Sequence, residues 1–504
     1  MEKTHSKKVI VIGAGIAGLT VGCYLQMSGF EVTIYESHNI AGGLCTSWKR
    51  EGYDFDGCIH SVPDGSEKYK IGRWMSEIVD FSKIEYHYYD KLAVIKFIDG
   101  KTFNFYTNID KLKTELLEFA PEDSVFINRM ISSMKCFAKY DLLNAKPIEL
   151  WSPLDYYLSQ FKTAPYIVSL IKWSKSLDET ISKCKSVVLK DILNQDFFTR
   201  YPFYFFLLSI AQMGNKSVGY PIGGSLKFAK HFEDKFISIG GKIEYNSRVK
   251  EIIVENDVAK GIILDNECRI DDIDIVISAA DGFSTIYQLL NGKYLNKEII
   301  KRYNSHPKWP SMVLVSIGVS RSLNDKPSLI SVKLSDKLMI DEQTQTDTLP
   351  VTIYNFDPAL APEGKTCIRV ILHSYNYDYW KNLRDNDRDE YRKVKDVLAK
   401  KIIDILEDKI GDIKENVEVI DVATPATFSR YTNNWQGSIQ GWEWLPGLIP
   451  EHIKVDLPVL KKFYMTGQWI MPGGGVSGAF INARDLARII CKRNKVKFMN
   501  KTER

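Results

Sequence analysis

Apolar positions along this chain fall into two patterns, short β-branched runs and helical stripes, and these alternate. Val9-Ile-Val-Ile12 is a continuous apolar run that passes through glycines into a second apolar stretch ending at Leu25. A run apolar on both faces predicts a buried parallel strand, and the stretch after it predicts a helix laid on that strand. A second β-branched strand is expected at Val32-Thr-Ile-Tyr35. Residues 108–215 carry helical spacing, with Trp151, Tyr156, Tyr157, Phe161, Tyr166 and Trp173 close together. Strands return at Lys242–Tyr245, Val249–Glu255, Ala259–Leu264 and Ile273–Ser278. Residues 291–424 mix strands, such as Met312–Val319, with an amphipathic helix whose stripe is Val394, Val397, Leu398, Ile402 and Ile405. Residues 463–493 again read as strand, glycine turn and helix.

The first turn is Gly13-Ala-Gly15-Ile16-Ala17-Gly18, and the second strand ends at Glu36. Strand, glycine turn, helix and strand in this order form the dinucleotide fingerprint. Gly13 permits the tight turn, Gly15 lets a pyrophosphate approach the backbone, and Gly18 lets helix and strand pack closely. Ile16 and Ala17 stand at the helix start, where free N–H groups and the positive dipole end favour phosphate. Glu36 follows Gly15 by 21 residues, where an acid accepts a ribose hydroxyl and repels a 2′-phosphate. That favours FAD or NAD over NADP. The fold class expected is α/β, a discontinuous Rossmann-like domain with an inserted α+β domain. Residues 1–105, 216–290 and 425–504 form the first, and 106–215 and 291–424 the substrate or lid domain.

At 504 residues the chain is long enough for two or three domains. A formal net charge of +4 is too small to argue for nucleic acid. Eight scattered cysteines without a C-x-x-C pair suggest neither a metal site nor a disulfide framework, and reduced thiols in a cytoplasmic protein are the simplest reading. The basic start and apolar stretch are the nucleotide strand and helix rather than a signal peptide. No run approaches the roughly 20 apolar residues of a membrane span; Pro202–Ala211 is about half that.

Further motifs follow. Ala41-Gly42-Gly43-Leu44-Cys-Thr-Ser-Trp48 lies just past the acid, and Gly52-Tyr-Asp-Phe-Asp-Gly57-Cys58-Ile-His60 after it. Gly219-Tyr-Pro-Ile-Gly-Gly224 precedes a helix and a strand. Phe463-Tyr-Met-Thr-Gly467-Gln468-Trp469 leads into Pro472-Gly-Gly-Gly475-Val476-Ser-Gly-Ala479. Together with the fingerprint these resemble the FAD-dependent carotenoid desaturase, carotenoid isomerase and retinol saturase family, within the amine-oxidase-like flavoproteins. The likeness covers the flavin domain well and the inserted domain poorly. It implies non-covalent FAD, with Gly42 and Gly43 at the pyrophosphate and ribityl arm and Gly57 and His60 near the ring. It implies that the Val249 backbone meets the adenine and that Ala279 lines the adenosine side. Gly467 and Gln468 would meet the ribityl chain, and the helix from Gly475, Val476 and Ala479 would direct its positive end at the ring, favouring the reduced form. Two positions depart from the family: Leu44 stands where an arginine is frequent, and Gln468 where an acid is usual. His60 is the candidate catalytic residue, positioning substrate or exchanging a proton at neutral pH, with backbone bonding or packing on the flavin as the plainer alternative.

No second Gly-x-Gly-x-x-Gly follows residue 100, so a separate NAD(P)H domain is not expected. Electrons would leave to oxygen, a quinone or another diffusible acceptor. The aromatics at 151–208 suit an apolar pocket or simply a core. With the resemblance they imply a hydrophobic, isoprenoid or polyene-like substrate that is desaturated, saturated or isomerised. An amine or amino-acid oxidase is the alternative: Arg430 would pair with a carboxylate, and Trp435 with Trp442 would flank an amine. A non-catalytic flavoprotein is the third reading. Lys162, Lys172, Lys175, Lys183 and Lys185 among apolar residues suggest peripheral docking on a membrane surface, against a soluble enzyme whose aromatics are all core.

Overall fold

The computed structural model describes residues 6–141, 143, 146–155, 164–194, 201–447 and 453–501. Its first layer is a five-stranded parallel sheet in the order Lys242–Glu244, Glu31–Tyr35, Lys8–Ile12, Ile275–Ser278 and Phe463–Met465. The five strands come from the beginning, middle and end of the chain. Val9, Ile10, Val11, Ile275, Val276 and Ile277 are buried, as runs apolar on both faces require. Helix Ile16–Met27 packs against both Gly475–Arg493 and Gly224–Ser238. Gly22 allows that approach: a Cβ there would lie 3.0 Å from the Phe236 ring and 3.1 Å from Ile34 Cδ1.

A seven-stranded sheet forms the second layer, in the order Val417–Ala423, Ser311–Val319, Thr366–Ser374, Gln345–Ile353, Leu329–Met339, Lys91–Lys96 and Thr102–Tyr106. All of its pairings are antiparallel except Leu329–Met339 with Lys91–Lys96. The two strands within 91–106 therefore extend the sheet whose other strands fall within residues 311–423, apart from the five-stranded sheet. Alternation sorts the faces of this sheet. Ile368, Val370 and Leu372 join a core closed by helix Arg388–Lys409, while Arg369, Ile371 and His373 face a cavity. The buried stripe of that helix is Tyr391, Leu398, Ala399, Ile402, Ile403 and Leu406; Val397 is exposed.

A helical layer, including Ile109–Phe119, Ser124–Phe137 and Phe203–Gly214, builds a third core. Tyr166, Trp173, Phe203 and Phe206 are buried in it, so much of the aromatic segment is core. Tyr156, Tyr157, Phe161 and Lys162 lie outside the described residues. Among the described residues no helix is long and apolar enough to cross a membrane.

Candidate functional site

The glycine turn sits where the first strand meets its helix. A Cβ at Gly18 would come within 1.9 Å of the Gly13 carbonyl oxygen, and Gly13 itself has φ +97°. Gly15 is different. Its φ is −71°, and a Cβ there would meet nothing nearer than Gly42 O at 3.9 Å. Neither its backbone nor its protein neighbours demand a glycine, and the space in front of it is open. Gly42 bridges to Gly15, donates to Ala14 O at 2.9 Å, and stands with Gly43 at positive φ. The last strand brings Gly467 over the same helix start, where a Cβ would lie 3.4 Å from Ala17 Cβ. Asn482 holds this turn by accepting from Thr466 Oγ1 at 2.7 Å and Gly467 N at 3.0 Å. Ala279 donates its amide to Ile12 O and closes the other side of Gly13. Neither helix Ile16–Met27 nor helix Gly475–Arg493 has a side-chain cap, so both present first-turn N–H groups.

Glu36 is buried at the rim, and its carboxylate already accepts from Ala14 N at 2.7 Å and His38 N at 2.8 Å. It therefore fastens the glycine turn to its own loop. Val249 opens a strand beside it: Ser247 N donates to Glu36 O at 2.8 Å. Gly57 is required by packing, since a Cβ would lie 2.7 Å from the Trp48 ring. Leu44 and Gln468 are both partly exposed. The glycine cradle, the acid and two uncapped helix starts together suit an extended dinucleotide.

Gly473–Gly478 and Cys58–Ser61 meet at the wall of a cavity of about 1110 Å³. Val62, Phe105, Leu170, Tyr204, Leu208, Ile371 and Trp444 contribute to its mostly apolar lining. One wall is polar. Asp56, 2% exposed, accepts from Ser225 Oγ, Ser225 N, Cys58 N and Tyr220 OH. The Arg369 guanidinium, also 2% exposed, lies 3.7 Å from that carboxylate and donates to Asp56 O and Ile59 O. Gly224 makes room for the group: a Cβ there would lie 3.0 Å from Asp56 Oδ2.

Arg369 Nη2 stands 3.3 Å from His60 Nδ1. A guanidinium only donates, so Nδ1 accepts and Nε2 carries the proton. Burial among protein atoms, with the charges of Arg369 and His373, pushes the imidazole down to about 3. The ring opens on the cavity, where water relieves part of that burial; the facing guanidinium acts in the same direction. His60 is thus a neutral N–H donor, not a group that titrates near neutral pH.

Arg430 is exposed, with its guanidinium 4.3 Å above the Tyr431 ring, and does not line this cavity. The Trp435 and Trp442 rings are 6.2 Å apart at 71°, and Tyr303 and Trp469 pack against both. They form a filled aromatic cluster, not a slot between parallel rings. Sequence reasoning missed Arg369 and Asp485. Asp485 faces the cavity from the last helix, its carboxyl raised to about 7 by burial and Glu149 against the pull of Arg488 and Arg484. A signal for Arg369 was present: it and His373 interrupt one face only of an otherwise apolar strand, Thr366–Ser374.

Residues 11–78 match the NAD(P)-binding Rossmann-like domain model, so the chain carries a dinucleotide-binding domain of that type. Along nearly its whole length it is related by sequence to carotenoid-modifying proteins. It is 24% identical to a prolycopene isomerase of Daucus carota over 94% of this chain and 78% of that one. It is 23% identical to a 4,4'-diapophytoene desaturase of Methylomonas sp over 98% and 97%. A solved putrescine oxidase variant shares the fold with a TM-score of 0.62 at 12% identity, over 97% of this chain and 99% of that one.

Proposed function

We propose that this protein is an FAD-dependent oxidoreductase acting on carbon–carbon bonds of a long apolar, isoprenoid or polyene-like substrate, by desaturation, saturation or isomerisation. The observation that carries the reading is the large, mostly apolar cavity walled at one point by an uncapped helix start. Its volume exceeds that of most small-molecule pockets, roughly 300–1,000 Å³, which suits an extended chain. The relatives act on such molecules by name.

In this reading Gly13, Gly15, Gly18, Gly42 and Gly43 give the pyrophosphate its backbone approach. Glu36 holds the adenosine ribose, with Val249 and Ala279 around the adenine half. Gly467 and Gln468 meet the ribityl arm. When bound, FAD supplies a two-electron acceptor and donor. The chain's own groups do the rest: the first-turn N–H groups after Gly474 favour negative charge at the adjacent cavity wall, and the apolar lining excludes water. His60 donates a hydrogen bond from Nε2 and is held in that tautomer by Arg369. The discontinuous FAD-binding unit and the inserted substrate unit belong to the same reading, with strands 91–106 in the latter. Purified protein should be yellow and release free FAD on acid precipitation, and lipid extracts analysed by mass spectrometry should contain a co-purifying polyene. Peroxide release on adding amines or amino acids, with no polyene turned over, would favour the oxidase alternative instead.

The reading extends to a membrane surface as the source of substrate. Tyr140 and Ile148 line the cavity and are also exposed, so the cavity reaches solvent there. Leu154, Val168, Ile171 and Val187, from the same helical layer, are 53–68% exposed, and Lys172, Lys175, Lys183 and Lys185 are exposed with them. Aliphatic residues beside lysines suit the headgroup boundary of an anionic bilayer. Co-sedimentation with anionic liposomes that weakens in high salt is expected; protein that stays in the supernatant in every condition removes the membrane from the account.

A further inference from the structure

Two cysteines that the cofactor and substrate chemistry leave unused face each other beside the cavity. Strands Ser47–Arg50 and Tyr53–Asp56 pair antiparallel through Glu51-Gly52, both at positive φ. Arg50 faces Tyr53 and Ser47 faces Asp56; one step further, Gly57 N donates to Thr46 O at 3.0 Å. Thr46 N then turns back to Leu44 O, which ends the ladder, and the chains leave it with Cys45 and Cys58 side by side. The Cys58 thiol is near enough to act on that of Cys45, and Cys45 Sγ lies 3.3 Å from Ser225 O, to which it donates. Cys45 is 3% exposed, whereas Cys58 is half-exposed and lines the cavity.

We propose that Cys45 and Cys58 form a redox-active pair, with Cys58 oxidised first by a hydroperoxide entering through the cavity and Cys45 resolving it to a disulfide. Cys58 sulfur attacks the terminal oxygen of the hydroperoxide and the O–O bond breaks. Cys58 becomes a sulfenic acid and the remainder leaves as an alcohol, or as water from hydrogen peroxide. Cys45 sulfur then displaces the sulfenic hydroxyl; the S–O bond breaks, the S–S bond forms, and the Cys45 proton departs with the hydroxyl as water. The two thiols lose two electrons and two hydrogens in all, and the hydroperoxide takes up both. The division of labour follows from burial. Burial and its neighbour keep the Cys45 thiol protonated, which makes it a poor first nucleophile but leaves it beside the oxidised partner. The bond would also tie the glycine turn of the cradle to the cavity wall, because Cys45 N donates to Gly42 O at 3.0 Å.

The test uses the full-length protein as purified, whether or not it is yellow, because the thiol chemistry needs no cofactor. Reduced protein is treated with hydrogen peroxide, alkylated after unfolding, and mapped by non-reducing mass spectrometry. The expected product is a linked peptide pair containing Cys45 and Cys58, lighter by two hydrogens and separated by dithiothreitol. In Cys45→Ser, Cys58 should instead be captured by dimedone as the sulfenic acid. In Cys58→Ser, Cys45 should remain a thiol while the exposed Cys268 is oxidised. Thermal melts show which variants fold, and the wild-type map decides the question if they do not. Dimedone capture of Cys58 in wild-type protein without any Cys45 cross-link would overturn the proposal. So would two untouched thiols under conditions that oxidise Cys268.

Discussion

The dinucleotide cradle and the polar wall of the cavity lie next to each other and are built by opposite means. The cradle is made of backbone: Gly13, Gly15, Gly42 and Gly467 meet from three stretches of chain, and the chemistry is in their N–H groups and in the space where side chains are missing. The wall is made of side chains. Arg369 and His60 line it, and behind them Asp56 gathers Tyr220, Ser225 and the Arg369 charge, from four different segments, in a buried cluster. A backbone site tolerates no added atom, whereas a side-chain site tolerates no lost partner. The two should therefore fail differently.

Adding one carbon breaks the cradle in two distinguishable ways. Gly18→Ala sets a Cβ 1.9 Å from the Gly13 carbonyl oxygen, and neither backbone can move without separating helix from strand. Overpacking costs about 1–3 kcal/mol and occasionally more, and a clash with backbone that cannot yield lies at the upper end, so the variant should be insoluble or melt well below wild type. Gly15→Ala meets nothing nearer than 3.9 Å at an ordinary φ. It should melt as wild type does yet bind FAD at least about tenfold more weakly, a loss of roughly 1.4 kcal/mol or more. Thermal melts and FAD titration of apoprotein separate the two. A Gly15→Ala protein with unchanged affinity would mean that no pyrophosphate crosses this turn.

Removing one partner breaks the wall. Arg369→Met leaves the Asp56 carboxylate buried without its cation, a loss of about 3–5 kcal/mol. Denaturant unfolding measures it. Asp56→Asn in the same chain should recover part of the loss, because the unpaired charge is then gone. Losses that simply add in the double variant would show that the pair is not coupled.

How legible each region is from sequence follows from the same contrast. Glycines that act through absence leave a spacing that can be read directly, and Gly13, Gly15, Gly18, Gly42, Gly43 and Gly467 do converge. Glu36 was legible as an acid closing the second strand, but its two backbone donors were not, because they depend on how the next loop returns. The side-chain wall was mostly hidden. Asp56 and Arg369 are 313 residues apart, and only the fold makes them neighbours. The sheet that strands Lys91–Lys96 and Thr102–Tyr106 join was hidden for a related reason. Alternation shows that a strand exists, but its partner, Leu329–Met339, lies more than 200 residues away. The aromatic stretch gave the least, since rings at helical spacing look alike in a core such as Phe203 and Phe206 and at a cavity wall such as Tyr204 and Phe205.

Glu36→Ala tests where the two modes meet, because a side chain there holds the backbone turn. On the proposed function the change removes a charge-assisted bond to the ribose, worth about 1.5–3 kcal/mol of FAD affinity, or a roughly tenfold to hundredfold weaker Kd. It also leaves the Ala14 and His38 amides without their acceptor. Apoprotein should therefore lose stability as well, and Glu36→Gln should restore only part of both. Weakened binding with an unchanged apoprotein melt would assign Glu36 to the ribose alone.

The smallest effect expected is the pH response of Asp485. Its carboxyl is raised from 3.8 to about 7, first by burial and then by Glu149, with Arg488 and Arg484 opposing. Between those two values the folded chain holds a proton there that the unfolded chain has released. Stability from this group is therefore fully present below about pH 4 and is lost as pH rises toward 7. A full shift of this size corresponds to about 4 kcal/mol. The side chain faces a cavity that water enters, which screens the charged form, so about 1–2 kcal/mol is expected. Asp485→Asn keeps the shape and cannot ionise. It should match wild type below about pH 4 and exceed it by that amount at pH 8 in denaturant unfolding. A constant difference across the range would mean that Asp485 is already ionised in the fold, hydrated by the cavity and paired with Arg488. The cavity wall would then carry two charged groups, Asp485 and Arg369, and its lining would suit a substrate with a polar end better than a pure hydrocarbon.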